Sequence, residues 1–189
     1  MEITPNTAFP EISFPLPLYA SETIAYAKSS DGEEFEITIG LDKKAAEEIK
    51  KHALDENDGE LLKNTSDRKR FGDGSYEEWY AKGRMPFGLI HKKTGILAAF
   101  FYGGQKDLDG ESGEWHTFGY RSYKPFRGKG LMKDFSKFAM KIYSEKYPGA
   151  RYWLRVTPGN EASLALAQSL GFSVSEKHPG DAGSLILVK

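Results

Sequence analysis

The stretch Tyr123-Lys-Pro-Phe-Arg-Gly-Lys-Gly-Leu-Met-Lys-Asp-Phe135 carries an extended segment through two glycines into a long amphipathic helix. Gly128 and Gly130 remove the side chains that would hold a ligand off the backbone, and the helix behind them opens with N–H groups that have no intrahelical acceptor. Arg127, Lys129 and Lys133 add positive charge beside those donors. Such a turn is an anion seat, and a phosphate-sized anion suits it best. Other phosphate loops fit poorly: no Gly-x-x-x-x-Gly-Lys-Ser/Thr occurs, and Lys133 stands where Gly-x-Gly-x-x-Gly needs its third glycine.

Downstream of the seat, Leu131, Phe135, Phe138 and Ile142 fall at helical spacing, so they predict one core-facing stripe on a helix over residues 130 to 146. Pro148-Gly149 ends that helix, and residues 152 to 156 read as a strand. Asn160 is a good N-cap for a second helix running to Leu170, with Gly171 at its left-handed end and Phe172 as the apolar seal. Short strands near residues 173 to 176 and 184 to 188 finish the chain.

Upstream, Phe35, Ile37, Ile39 and Leu41 alternate with Glu36, Thr38 and Gly40, the period of a strand with one buried face. Asp42 caps a helix over residues 43 to 55. Residues 56 to 74 are polar and glycine-dotted, contain the basic run Arg68-Lys-Arg70, and read as a solvated loop, with an acceptor-recognition loop as the functional alternative. Ser75 starts a short helix carrying Tyr76, Trp79 and Tyr80. Residues 87 to 91 and 96 to 102 form a hairpin whose second arm is apolar on both faces, hence a central strand, and residues 114 to 123 add a third antiparallel strand. Residues 1 to 34, with Pro5, Pro10, Pro15 and Pro17, read as an extended arm with one short strand, held down by Phe9, Ile12, Phe14, Leu16, Leu18 and Tyr19.

At 189 residues, 39% of them hydrophobic, the chain supports one substantial core. A net charge of -1 argues against a dedicated nucleic-acid binder. There is no cysteine, no basic start followed by an apolar run, and no apolar stretch of membrane-spanning length, which together lead us to expect a cytoplasmic protein without membrane contact. His52, His91 and His178 are scattered without ligand spacing, so no metal site is expected.

The order of elements, with the glycine turn between a strand and the long helix, resembles the GNAT N-acetyltransferase superfamily over residues 35 to 189. Arg127, Gly128, Lys129 and Gly130 match its pyrophosphate-binding Gln/Arg-x-x-Gly-x-Gly/Ala motif, with Phe126 before the arginine and Met132 where the last small residue usually stands. Asn160, Gly171 and Phe172 match its Asn-x-x-Ala…Gly-Phe helix, with Ser163 in place of the alanine. The resemblance implies an α/β (α+β) fold, with a mixed, mostly antiparallel sheet of about seven strands flanked by about four helices. It divides the chain into an arm, 1–34, and an acyl-CoA N-acyltransferase domain, 35–189.

It further implies acetyl-CoA between the strands over 114–123 and 152–156, which part in this fold. Ser122, Tyr123 and Lys124 would pair with the pantetheine arm through their backbone. The N–H groups from Arg127 through Leu131 to Met132 would hold the diphosphate beside Lys133, with Asn160 and Ser163 at the second helix. The partners implied are an acyl-CoA and an amine, either a small molecule or a peptide, and the resemblance allows a homodimer. The usual tyrosine that protonates the leaving thiolate is replaced by Ala167, leaving Tyr120, Tyr123 and Tyr152 as candidates. An alkyl amine is mostly protonated near neutral pH, and supplying its neutral form costs roughly 4 to 5 kcal/mol, so a base is useful. Glu114 and His116, two apart on one strand face, are the candidates, and Glu114 falls where some family members carry a catalytic glutamate. The alternative is a binding module that keeps the coenzyme seat but has lost turnover and acts through a partner.

Overall fold

The computed structural model describes residues 1–7 and 15–189, with Ala182 described by its backbone only. Phe9, Ile12 and Phe14 therefore lie outside the described residues. The elements run β1 (Glu2–Pro5), β2 (Ser21–Lys28), β3 (Glu34–Gly40), α1 (Lys43–Ala53), α2 (Gly59–Asn64), a π-helical turn (Arg68–Asp73), α3 (Tyr76–Tyr80), β4 (Arg84–His91), β5 (Ile96–Gln105), β6 (Trp115–Ser122), α4 (Leu131–Lys146), β7 (Arg151–Val156), α5 (Glu161–Ser169), β8 (Ser173–Pro179), a 3-10 turn (Asp181–Gly183) and β9 (Leu185–Val188). One sheet holds all nine strands in the order β1-β2-β3-β4-β5-β6-β7-β9-β8.

Every neighbouring pair is antiparallel except β6 and β7. The mixed, mostly antiparallel class is the expected one. The two strands beyond the expected seven are β1 and β2, so the N-terminal segment enters the sheet rather than only lying on it. In β2 a register shift between Thr23 and Ala25 buries Ile24 and Ala25 in succession and so breaks the strand's alternation, and the small Ala25 and Ala27 signal their burial weakly.

Local chemistry explains the helix boundaries. Asp42 accepts from the Ala45 N–H at 2.8 Å and opens α1; Asn160 accepts from the Ser163 N–H at 3.1 Å and opens α5. Gly171 takes φ 90°, which lets the Phe172 N–H return to the Ala167 carbonyl at 3.1 Å and close α5. The core stripe of α4 is Leu131, Phe135, Ala139 and Tyr143, each four apart and buried, while Phe138 and Ile142 only flank it. With Ser136 and Met140 also buried, the core face of α4 is centred on these positions, which corrects the expected stripe by shifting it around the helix.

The stretch 56 to 74 is structured, contrary to the loop expected of it. Asp58 caps α2, Phe71 is buried, and Asp67 lies buried beneath the π-helical turn. These helical turns, with α1 and α3, cover one face of the sheet around Phe100, Tyr102 and Tyr123; α4 and α5 cover the other around Phe101, Phe118 and Leu154. Leu97 to Phe101 are buried on both sides, as a strand between two helical layers must be.

Candidate active site

Strands β6 and β7 are joined only over Trp115–Arg151, His116–Tyr152 and Thr117–Trp153. Beyond Thr117 they part, β6 staying on β5 and β7 on β9. Into the gap opens a cavity of ≈ 920 Å³, bordered by Gly119, Tyr120 and Ser122 on one side and by Leu154, Arg155 and Thr157 on the other. That volume is ample for a substantial ligand. Ala162, Ser163 and Leu166 of α5 border it from one face of the sheet, and Leu61, Asn64 and Thr65 from the other.

The glycine turn stands at the cavity's edge. Gly128 and Gly130 have φ 81° and 70°, and a Cβ built on either would meet no atom within 4 Å, so the seat is open. Gly130 occupies the N-cap position of α4 without any side chain to cap it. The N–H groups of Phe126 and Arg127 both reach the Tyr123 carbonyl at 2.9 Å and shape the turn. Those of Gly128, Gly130 and the first turn of α4 remain as donors toward the cavity. Lys133 adds an exposed cation there, and Met132 borders the cavity without closing it.

Arg127 does something other than wait for an anion. Its Nη1 and Nη2 each donate to Asp58 at 2.6 Å, its Nη1 also reaches Glu60 at 3.2 Å, and its Nε and Nη2 donate to the Ser122 carbonyl at 3.1 and 3.0 Å. Arg127 thus bolts α2 to the turn. Its hydrogen bonds hold the Asp58 carboxyl below its ordinary range, so two carboxylates stand beside the seat. Of the other cations, Lys129 turns outward to Asp31 at 3.6 Å and does not border the cavity.

Of the remaining cofactor candidates, Ser122, Lys124, Leu131, Asn160 and Ser163 border the cavity. Tyr123 does not: its ring is buried and stacked on His52 at 4.1 Å, so only its backbone faces the turn. Tyr120 is the tyrosine of the three candidates that borders the cavity, its hydroxyl donating to the Ser163 carbonyl at 2.9 Å, and burial raises its pKa. Tyr152 donates to the Tyr147 carbonyl instead.

Glu114 and His116 are brought together, with His116 Nε2 at 2.8 Å from Glu114 Oε1. Neither borders the cavity. His116 is 1% exposed, wedged against Tyr147 and hydrogen-bonded through Nδ1 to the Tyr143 hydroxyl on α4. Glu114 stays half exposed one residue before Trp115–Arg151, the first pair of β6 and β7, and so three residues ahead of Thr117, where the strands part.

Sequence reasoning missed a further group on the opposite face. Arg121 Nε and Nη2 donate to Asp67 at 2.6 and 2.9 Å, and Arg70 Nη1 joins them at 2.8 Å. Burial pushes the Asp67 carboxyl up, but the two guanidiniums outweigh it and hold it low. Nothing in the spacing of residues 67, 70 and 121 signals this cluster.

Comparison with known proteins agrees with the arrangement. No curated protein sequence matches the chain. The fold is shared with the ribosomal-protein-S5-alanine acetyltransferase of Vibrio fischeri (TM-score 0.59, 15% identity, covering 81% of this chain and 92% of that one). It is shared as well with the GNAT domain of S. lividans PAT (0.61, 13%, 87% and 94%). A third is Mycobacterium smegmatis RimJ, whose structure is a complex with CoA-disulfide (0.59, 14%, 82% and 81%). The model of the acetyltransferase (GNAT) domain matches residues 28–173. With a parted β6–β7 pair, an open glycine seat and that match over most of its length, this chain belongs to the GNAT acetyltransferase family.

Proposed function

We propose that the protein moves an acetyl group from acetyl-coenzyme A to an amine by direct attack within a ternary complex. The observation that carries this reading is the cavity between the parted strands, running up to an unfilled glycine turn at the start of α4. Bound acetyl-coenzyme A supplies the activated thioester carbonyl. The chain supplies the rest.

The donors of Gly128, Gly130 and the first turn of α4, with Lys133 beside them, hold the diphosphate; one helix N-terminus contributes roughly 0.3 to 1 kcal/mol per favourable charge before hydrogen bonds are counted. Unpaired backbone groups of β6 after Thr117, freed where β7 leaves, align the pantetheine arm. Holding amine and thioester together in a shielded gap replaces a bimolecular encounter by an intramolecular one. Glu114 takes the proton that the attacking amine must lose, through water: Asp58, Asp67 and Glu60 each meet a guanidinium group, while among the described residues the Glu114 carboxylate meets His116 alone. Tyr120 turns its hydroxyl proton from the Ser163 carbonyl to the departing sulfur and regains one from solvent through the Ser163 hydroxyl, 3.1 Å away.

Calorimetric titration with coenzyme A, followed by assay of thiol release against a panel of amines, tests the reading. Binding together with thiol release and N-acetyl product is the expected result. Binding without release on any amine would favour the alternative, a coenzyme-binding module working through a partner.

A further inference from the structure

The sheet face that carries α3 has a second feature beside the opening. Phe100 and Tyr102 pack on Trp79 at 5.6 and 5.1 Å, so Gly104, two further along β5, faces the same way. A Cβ on Gly104 would stand 2.6 Å from Arg84 Nη1 and 2.7 Å from its Cδ; only a glycine lets the Arg84 side chain lie flat across the strand. Gly119 does the same for Tyr102, whose hydroxyl would be 2.5 Å from a Cβ there.

Register fixes where Arg84 lies. Arg84 pairs with Gly104, Gly104 with Thr117, and Thr117 with Trp153, the last residues at which β6 and β7 remain joined. Arg84 therefore lies on the transverse row that ends at the apex of the opening; its backbone is two strand spacings, about 10 Å, from Thr117, and its side chain, laid over Gly104, is about one spacing nearer. At the end of β5, Lys106 extends its Nζ over the Trp153 ring at 5.0 Å.

Charge is unbalanced here. Arg70 is answered by Asp67 at 2.8 Å and Arg155 by Asp181 at 3.0 Å. Among the described residues Arg84 and Lys106 have no carboxylate, and Arg84 Nε and Nη1 are shielded from solvent without any acceptor. Burial lowers the pKa of both, and repulsion from Arg84, Arg155 and Arg70 depresses Lys106 further, against a smaller opposing pull from Asp109, which stands outside ion-pair distance. A desolvated guanidinium without an acceptor is costly in a fold that has paired its other buried charges.

We propose that this face is an anionic-acceptor subsite, where Arg84, backed by Lys106, holds a carboxylate of the amine to be acetylated. This deepens the acetyl-transfer reading and rests on it. The spacing suits a carboxylate a few bonds from the nucleophilic nitrogen, as in a small amino acid or the first acidic residue of a peptide.

The test uses matched pairs differing only in carboxylate against carboxamide: 4-aminobutyrate with its amide, and peptides beginning Asp-Gly or Asn-Gly. Binding of each to the full chain is measured by calorimetry with and without saturating coenzyme A, and thiol release is measured alongside. We expect carboxylates to bind about tenfold more tightly than their amides, the scale of one charge-assisted contact. Arg84→Gln should bring that ratio near one and Lys106→Gln should lower it, with coenzyme A affinity unmoved in both. Whichever pair shows the larger ratio identifies the source, small molecule or peptide. Equal affinity within both pairs, no measurable binding of any carboxylate, or a ratio unchanged by Arg84→Gln would overturn the subsite. Failure of coenzyme A to bind would instead overturn the acetyl-transfer reading, and the carboxylate ratio remains measurable without it.

Discussion

Arg127 and Asp58, 69 positions apart in sequence, meet through two parallel hydrogen bonds of 2.6 Å at the edge of the glycine turn. The motif arginine is thus a structural clamp as much as a source of positive charge, and it carries α2 against the turn. A planar guanidinium meeting a planar carboxylate in this way is the strong form of an ion pair.

Asp58→Asn should lower stability by about 1 to 3 kcal/mol, the range for a hydrogen bond to a charged group. The asparagine keeps the cap on α2, so the loss reports the clamp. Because the Asp58 carboxyl is held below its unfolded value, its stabilisation is complete above the ordinary carboxyl range and fades as pH falls through the lower folded value. Thermal melts from pH 7 down to pH 3 should therefore fall less steeply in the variant. Parallel acid limbs would exclude the clamp as a source of pH dependence.

Gly130→Glu should abolish coenzyme A binding while the fold persists. The left-handed backbone there costs any other residue about 1 to 2 kcal/mol, but a Cβ meets no atom, so the chain still closes. Gly130→Ala carries the same backbone cost without the charge. If calorimetry gave the two variants equal affinity, the seat would not hold an anion.

Asp67→Ala leaves Arg121 mostly buried beside only Arg70 and the Tyr120 carbonyl, and should cost about 3 to 5 kcal/mol, the toll of stranding a buried charge. The midpoint of denaturant unfolding should drop without a change in slope. Replacing Asp67 and Arg121 together by apolar residues should cost much less; an equal or larger loss in the double variant would show that the pair does more than neutralise itself.

Glu114→Gln should slow thiol release by about a hundredfold at neutral pH, the lower range for general-base catalysis, and by less at high pH, where free amine is plentiful. Coenzyme A affinity should stay unchanged. A rate equal to that of the unaltered protein across pH would remove Glu114 from the reaction and leave positioning as the main contribution.

Much of this was legible in the chain because it is local. Asn160 acts within the first turn of α5 and Gly171 with Phe172 within its last, so their spacing reports both ends of the helix directly. The unbroken apolar run Leu97 to Phe101 announces a strand covered on both faces. By contrast, β2 hides because Ala25 and Ala27 are small enough to be buried against a neighbour without signalling it, and residues 56 to 74 hide because their polar side chains find partners far away. The spacing puts Glu114 and His116 on one strand face, but which wall that face meets depends on Tyr143 of α4 and Tyr147 at its C-terminal cap.

The sequence by itself determined that two glycines open a helix in an arginine- and lysine-rich turn, and hence that the turn is a seat of uncapped backbone donors, since φ above zero and free N–H groups follow from residue type and order. Tertiary structure alone decided what that seat faces. The parting of β6 from β7, the capture of Arg127 by Asp58 and the uncompensated charge of Arg84 across Gly104 each depend on register and on contacts between distant strands and turns. Electrostatic and packing energies depend on distance in space, which no spacing along the chain encodes.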